Sequence, residues 1–197
     1  MKKIVAGLFL CALIAGSTEP NEATGKAQGF PTAPIRIEVF SDFECPHCKL
    51  LYEDTLRPLM REYVASGKVY LIHRDFPLPN HAHAREAASY ACASARVNKY
   101  EEVCSALFSR QASWSASGNV EETVASVLSP PELSKVRALA KDPKIAAEID
   151  LDVALGQKAR ITQTPTMEIT YNGRTTPVAG SVSYSILSRY LNDLLSK

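Results

Sequence analysis

Phe43-Glu44-Cys45-Pro46-His47-Cys48-Lys49 follows a strand-like run, Ile35-Arg36-Ile37-Glu38-Val39-Phe40. The junction sets two thiols one helical turn apart at the start of a helix. Such a pair can close a small disulfide and reopen it. Pro46 suits the first helical position, where its missing N–H is not needed, so Cys45 is expected at the N-cap, beside free backbone N–H groups and the positive end of the helix dipole. Those surroundings favour a thiolate over a thiol. Cys-x-x-Cys also serves as half of a zinc site, but the sequence has no second such pair, and the strand-to-helix setting favours redox chemistry.

Composition bounds the rest. With 197 residues, 46% hydrophobic and 22% charged, the chain can bury one good core and a small second lobe. A formal net charge of +1 gives no electrostatic argument for nucleic acid or an anionic membrane. Met1-Lys2-Lys3, the apolar run from Ile4 to Gly16 and the small residues Ala15-Gly16-Ser17 read as a secretory signal peptide over residues 1–17, cut after Ser17. The apolar run is too short to span a bilayer. A lipoprotein signal would use Cys11, but bulky Leu10 stands where that signal needs a small residue. Residues 18–34 lack periodicity and read as a flexible leader.

Period and punctuation give the layout. The helix opening at Pro46 is expected to break or kink at Pro58 and to stop at Gly67, and Lys68 to Arg74 reads as the next strand. Residues 81–160 are helical in pattern, interrupted at Ser117-Gly118-Asn119, Ser129-Pro130-Pro131 and Asp142-Pro143. Thr166 to Tyr171, Asn172-Gly173 and Arg174 to Val178 form a hairpin with a strong turn signal, and Ser183 to Leu195 closes the chain as an amphipathic helix.

Cys45-Pro46-His47-Cys48, the stretch Tyr70 to Leu78 leading into His81-Ala82-His83-Ala84-Arg85, and Gln163-Thr164-Pro165-Thr166 together resemble the DsbA-like thiol:disulfide oxidoreductases of the thioredoxin superfamily. The resemblance runs from about Ile35 to the C-terminus. It implies an α/β thioredoxin fold, residues 35–80 and 161–197, with an inserted helical lobe over 81–160. It implies an exported, periplasmic or secreted monomer that needs no cofactor and oxidises unfolded or reduced exported proteins. A quinone-linked membrane oxidoreductase would reoxidise it. It further implies a cis Thr164-Pro165 bond against the cysteine pair, where the Thr164 backbone receives substrate as an added strand. Gln163 stands where many relatives carry a small residue.

Within this reading Cys45 is the exposed attacking sulfur and Cys48 its inward-facing partner. The thiolate exists only in the reduced form, so lowering its pKa favours that form and makes the disulfide an oxidant. His47 is the side chain best placed to tune Cys45, Lys49 helps weakly, and the carboxylates Asp42 and Glu44 are expected to oppose. Glu38, in an otherwise apolar strand, is the candidate acid for the proton of Cys48, although one extra residue separates it from the cysteines compared with the family. Cys92 and Cys104, on two helix-like runs and equidistant from Asn98, are expected to form a structural disulfide; two buried free thiols are the alternative. His73, His81 and His83 lack metal-ligand spacing and read as lobe-hinge or surface residues, so no metal site is expected. Two other functions stay open. One is a disulfide isomerase or reductase, against which stands the lack of an extra N-terminal dimerisation domain between the expected signal and Ile35. The other is a metal-binding or metal-delivery protein using Cys45, Cys48 and a histidine.

Overall fold

Ile35, Ile37 and Val39 lie on one face of their strand and are fully buried, while Arg36 and Glu38 lie on the other. In the computed structural model, which describes residues 25–197, this strand is the centre of a five-stranded sheet. Its strands are β1 (Ala27–Gln28), β2 (Ile35–Ser41), β3 (Val69–Asp75), β4 (Thr166–Tyr171) and β5 (Arg174–Ala179), in the order β1-β3-β2-β4-β5. Strand β2 runs parallel to β3 and antiparallel to β4. Asn172 and Gly173 both adopt positive φ in the two-residue turn between Tyr171 and Arg174, as the sequence predicts.

Between β2 and β3 runs the helix α1, residues 46–64. The break expected at Pro58 does not occur. The helix passes through, widened by π-turns at Tyr52–Leu56 and Met60–Val64 on either side of the proline. The missing N–H of Pro58 and the clash of its ring with the preceding turn are absorbed by this looser winding.

Six helices form the lobe between β3 and β4: α2 (Ala84–Ala95), α3 (Tyr100–Ser109), α4 (Gln111–Ser117), α5 (Val120–Ala125), α6 (Pro130–Leu139) and α7 (Pro143–Lys158). Helix α8 (Tyr184–Leu195) packs Leu187 and Leu191 under the sheet. Asn119 and Asp142 cap their helices, and Ser129 with Glu132 forms a capping box, so each punctuation mark in the sequence becomes a helix start. The main hydrophobic core runs from Ile37, Val39 and Met167 through Leu51 and Leu56 to Val103, Trp114 and Ile149 without a gap between sheet and lobe. A smaller cluster, Phe40, Phe76 and Ile161, occupies the other sheet face beneath α7.

Two expectations are corrected. The signal peptide of residues 1–17 and the first part of the expected leader lie outside the described residues, but residues 25–34 are not a loose leader. Strand β1 pairs antiparallel with β3, Ala27 opposite Ile72 and Gln28 opposite Leu71. Lys26 is fully buried, its ammonium 2.7 Å from Asp75 Oδ2 and 2.5 Å from Asp152 Oδ2. Gly29 allows this approach, since a Cβ there would lie 2.6 Å from the Val69 carbonyl oxygen.

Cys92 and Cys104 are free, buried thiols, not a bridge. Cys92 Sγ donates to Asp75 Oδ2 at 3.1 Å, and burial pushes both thiols well above their ordinary pKa. Equal distance from Asn98 puts the two cysteines at one level of the helical hairpin but does not fix the rotation of either helix. The buried carboxylate of Asp75 gives Cys92 a different partner.

Candidate redox site

Cys45 is the N-cap of α1, in extended conformation (φ −77°, ψ 121°), and Pro46 opens the helix. Its carbonyl accepts from Cys48 N–H at 3.0 Å and Lys49 N–H at 3.2 Å, closing the first turn. Cys48, one turn on, is 1% exposed and faces the core that holds Ile37 and Val39. Cys45 is itself only 5% exposed, so the attacking sulfur is less open than expected. The register of β2 with β4, Phe40 opposite Thr166, carries the loop before β4 up against this turn. The Thr164-Pro165 bond is cis, and the Thr164 carbonyl accepts the Cys45 S–H at 3.5 Å.

The two sulfurs differ strongly. Cys45 is lowered from the ordinary thiol value of 9.0 to about 5, first by a hydrogen bond from the Cys48 thiol. Burial works against this, while the Thr164 side chain and the backbone N–H groups of Cys48 and His47 support it. Thr164 Oγ1 is buried and has no hydrogen-bond partner in the dithiol form, which leaves its O–H for the sulfur once Cys45 ionises. Cys48 is pushed well up, first by burial and then by Cys45, partly offset by the Ser41 hydroxyl and Asp42 backbone. The Asp42 N–H lies 3.4 Å from Cys48 Sγ.

Other candidates fall elsewhere. His47 is exposed, and its contribution to the thiolate comes through its backbone N–H. Asp42 and Glu44 do not face Cys45 as opposing charges. The buried Asp42 carboxylate accepts from Glu44 N, Leu78 N and His81 Nδ1 at 2.7, 2.7 and 2.8 Å, and Glu44 Oε2 accepts from His83 N at 2.7 Å. Both carboxylates therefore tie the redox turn to the loop that leads into the lobe. Lys49 Nζ donates to the Ser109 carbonyl at 3.3 Å.

Glu38 is not beside Cys48. It lies on the opposite face of β2, where its carboxylate binds Arg74 and Arg36, and Arg74 continues to Asp152 of α7. Those guanidinium groups outweigh partial burial and hold the Glu38 pKa down, so it stays an ion-pair partner. His73 is buried against Tyr100 and held to about 4 by desolvation. Among the described residues no group of three or more His, Cys, Asp or Glu side chains is placed to hold a metal ion.

One site residue has no local signal in the sequence. Gln111, 5% exposed at the start of α4, donates to the carbonyls of Phe43 at 2.6 Å and Cys45 at 3.0 Å.

The asymmetry predicts selective labelling. With iodoacetamide at pH 6, Cys45 should react at least about a hundredfold faster than Cys48, because only a thiolate attacks. Its rate should fall with a midpoint near pH 5, where a free thiol would titrate near 9. Equal labelling of the two cysteines, read by mass spectrometry of the peptides, overturns the assignment.

A family profile described as Thioredoxin matches residues 21–193. A curated relative in Bacillus anthracis, "Probable disulfide bond formation protein D", is 33% identical over 79 residues, 38% of this chain and 36% of that protein, so the match spans little more than a third of the relative. Among solved structures, Wolbachia pipientis alpha-DsbA1 superposes with a TM-score of 0.71 at 23% identity, over 86% of this chain and 89% of that one. Pseudomonas aeruginosa DsbA2 does so with a TM-score of 0.68 at 25% identity, over 86% and 93%. With the profile covering most of its length, the chain belongs to the thioredoxin family, and with the inserted lobe it has the fold of the DsbA structures.

Proposed function

We propose that this protein is an exported thiol:disulfide oxidoreductase acting as a dithiol oxidase. The observation that carries this reading is Cys45 at the N-cap of α1 against the cis Thr164-Pro165 bond, with Cys48 buried one turn behind it. A thiolate of a reduced substrate protein attacks Cys45 Sγ of the Cys45–Cys48 disulfide. The sulfur–sulfur bond breaks, and its electron pair leaves with Cys48, which takes up a proton. A second substrate thiolate then attacks the substrate sulfur of the mixed disulfide, and Cys45 departs as a stable thiolate. Two substrate thiols become one disulfide, and the protein is left as the dithiol. Thr164 lines the site through its carbonyl, the group offered to a substrate backbone N–H. Reoxidation falls to a membrane oxidoreductase of the quinone-linked kind, as for the proteins it resembles.

The direction follows from the thiolate. A pKa of about 5 lies about two units below pH 7, which corresponds to at most ~2.7 kcal/mol in favour of the dithiol form, or about 2 after solvent screening. That is roughly 40 mV toward oxidant. Because this pKa is lowered on folding, the contribution is complete above about pH 9 and is lost as pH falls through about 5.

Equilibration with glutathione tests the reading. We expect a potential above about −200 mV and a dithiol form that resists denaturant better than the disulfide form. A potential below about −250 mV, with the disulfide form the more stable, makes the protein a reductase.

A further inference from the structure

The corner between α3 and α4 lies on the redox turn. Phe108 packs against Phe43, ring centroids 4.9 Å apart, and stacks on Tyr52 of α1 at 4.7 Å. Ser109 receives Lys49, and Gln111 places one amide nitrogen between the carbonyls of Phe43 and Cys45. Each N–H of that amide thus holds one side of Glu44, while the Cys45 carbonyl also carries the first two helical hydrogen bonds of α1. The peptide plane that follows Cys45 and the one that precedes Glu44 are fixed by a side chain more than sixty residues away in sequence.

We propose that Gln111 is a positioning residue of the redox centre, holding the Cys45 turn so that the backbone N–H groups of His47 and Cys48 face the sulfur. The lobe then acts on the chemistry as well as covering it. The inference rests on Cys45 being the reactive thiol, as proposed above. Without the amide, the Phe43 carbonyl loses its donor inside the protein, and the Cys45 peptide is free to tilt its neighbours' N–H groups away from Sγ. A side chain that only fills space would leave the sulfur unchanged.

The test is the Gln111→Met protein, which keeps length and bulk without the donor. Thiolate absorbance near 240 nm and iodoacetamide labelling at pH 5 read Cys45 directly and do not depend on whether the protein oxidises or reduces its substrates. We expect the loss of one hydrogen bond to slow labelling of Cys45 at pH 5 by about fivefold, since the wild-type thiol is already half protonated there, and the glutathione equilibrium to shift toward the disulfide form. Wild-type labelling at pH 5, with Gln111→Met melting lower but labelled at the wild-type rate, makes Gln111 a packing residue and overturns the inference alone. A wild-type Cys45 that titrates like a free thiol removes the earlier reading instead. If Gln111→Met does not fold, the wild-type protein still decides. Its Gln111 side-chain amide resonances should move with the titration of Cys45 and between redox forms, and amide signals unchanged in both overturn the inference.

Discussion

Replacing Cys48 with serine is expected to leave the protein covalently joined to its substrates. Cys45 keeps its turn, the Thr164 carbonyl and two backbone N–H groups, and serine offers an O–H in place of the Cys48 thiol that contributes most to its acidity. It can still enter a mixed disulfide by attacking a substrate disulfide, but without Cys48 it can neither form the Cys45–Cys48 disulfide that oxidises substrates nor escape the adduct by attack from one helical turn away. An intramolecular thiol acts at an effective concentration far above any thiol in solution, so turnover should fall by roughly a thousandfold or more. Adducts released by dithiothreitol should accumulate on non-reducing gels, all through Cys45. Cys45→Ser should give neither turnover nor adducts, because Cys48 is buried and protonated. Adducts on Cys48 in that protein, or near-normal turnover by Cys48→Ser, would exchange the two roles or dismiss them.

The second large effect is expected far from the thiols. Lys26→Ala removes the cation between Asp75 and Asp152 and leaves Asp75 with only the Cys92 thiol among its named side-chain partners. Removing one partner of a buried ion pair costs about 3–5 kcal/mol, a large part of the 5–15 that holds a typical domain together. In the variant Asp152, whose carboxyl burial already pushes up, loses the ammonium that favours its charged form, so the loss should be smaller at pH 5 than at pH 8. Urea unfolding at the two pH values measures both effects, and Lys26→Met with Asp75→Asn should recover much of the stability. A Lys26→Ala protein as stable as wild type would return residues 25–34 to the status of a loose leader.

What was legible in the sequence was local. The strand before Cys45, the helix opened by Pro46, the Asn172-Gly173 turn and the capped starts at Ser129 and Asp142 each follow from neighbours in the chain. The residues that were missed are joined over long separations: Lys26 to Asp152 over 126 positions, Gln111 to Cys45 over 66, and His81 to Asp42 over 39. A lone lysine in an aperiodic segment, or a glutamine after Arg110, carries no pattern that announces such a partner. Glu38 is different, because the alternation of β2 held the answer. With Ile35, Ile37 and Val39 inward, Glu38 had to face away from the side that Cys48 occupies.

The unbroken core beneath sheet and lobe bears on how the molecule comes apart. Trp114 and Val103 belong to the same apolar cluster as Val39 and Met167, and the redox turn is stitched to the lobe by Asp42, Glu44 and Gln111. Little apolar surface could be kept buried by letting one part melt while the other stays. The protein should therefore lose its structure in one cooperative step, with slow amide exchange in α3 and β2 governed by the same global opening. Substrates would meet a rigid edge, and chains that are themselves unfolded would make the conformational adjustment.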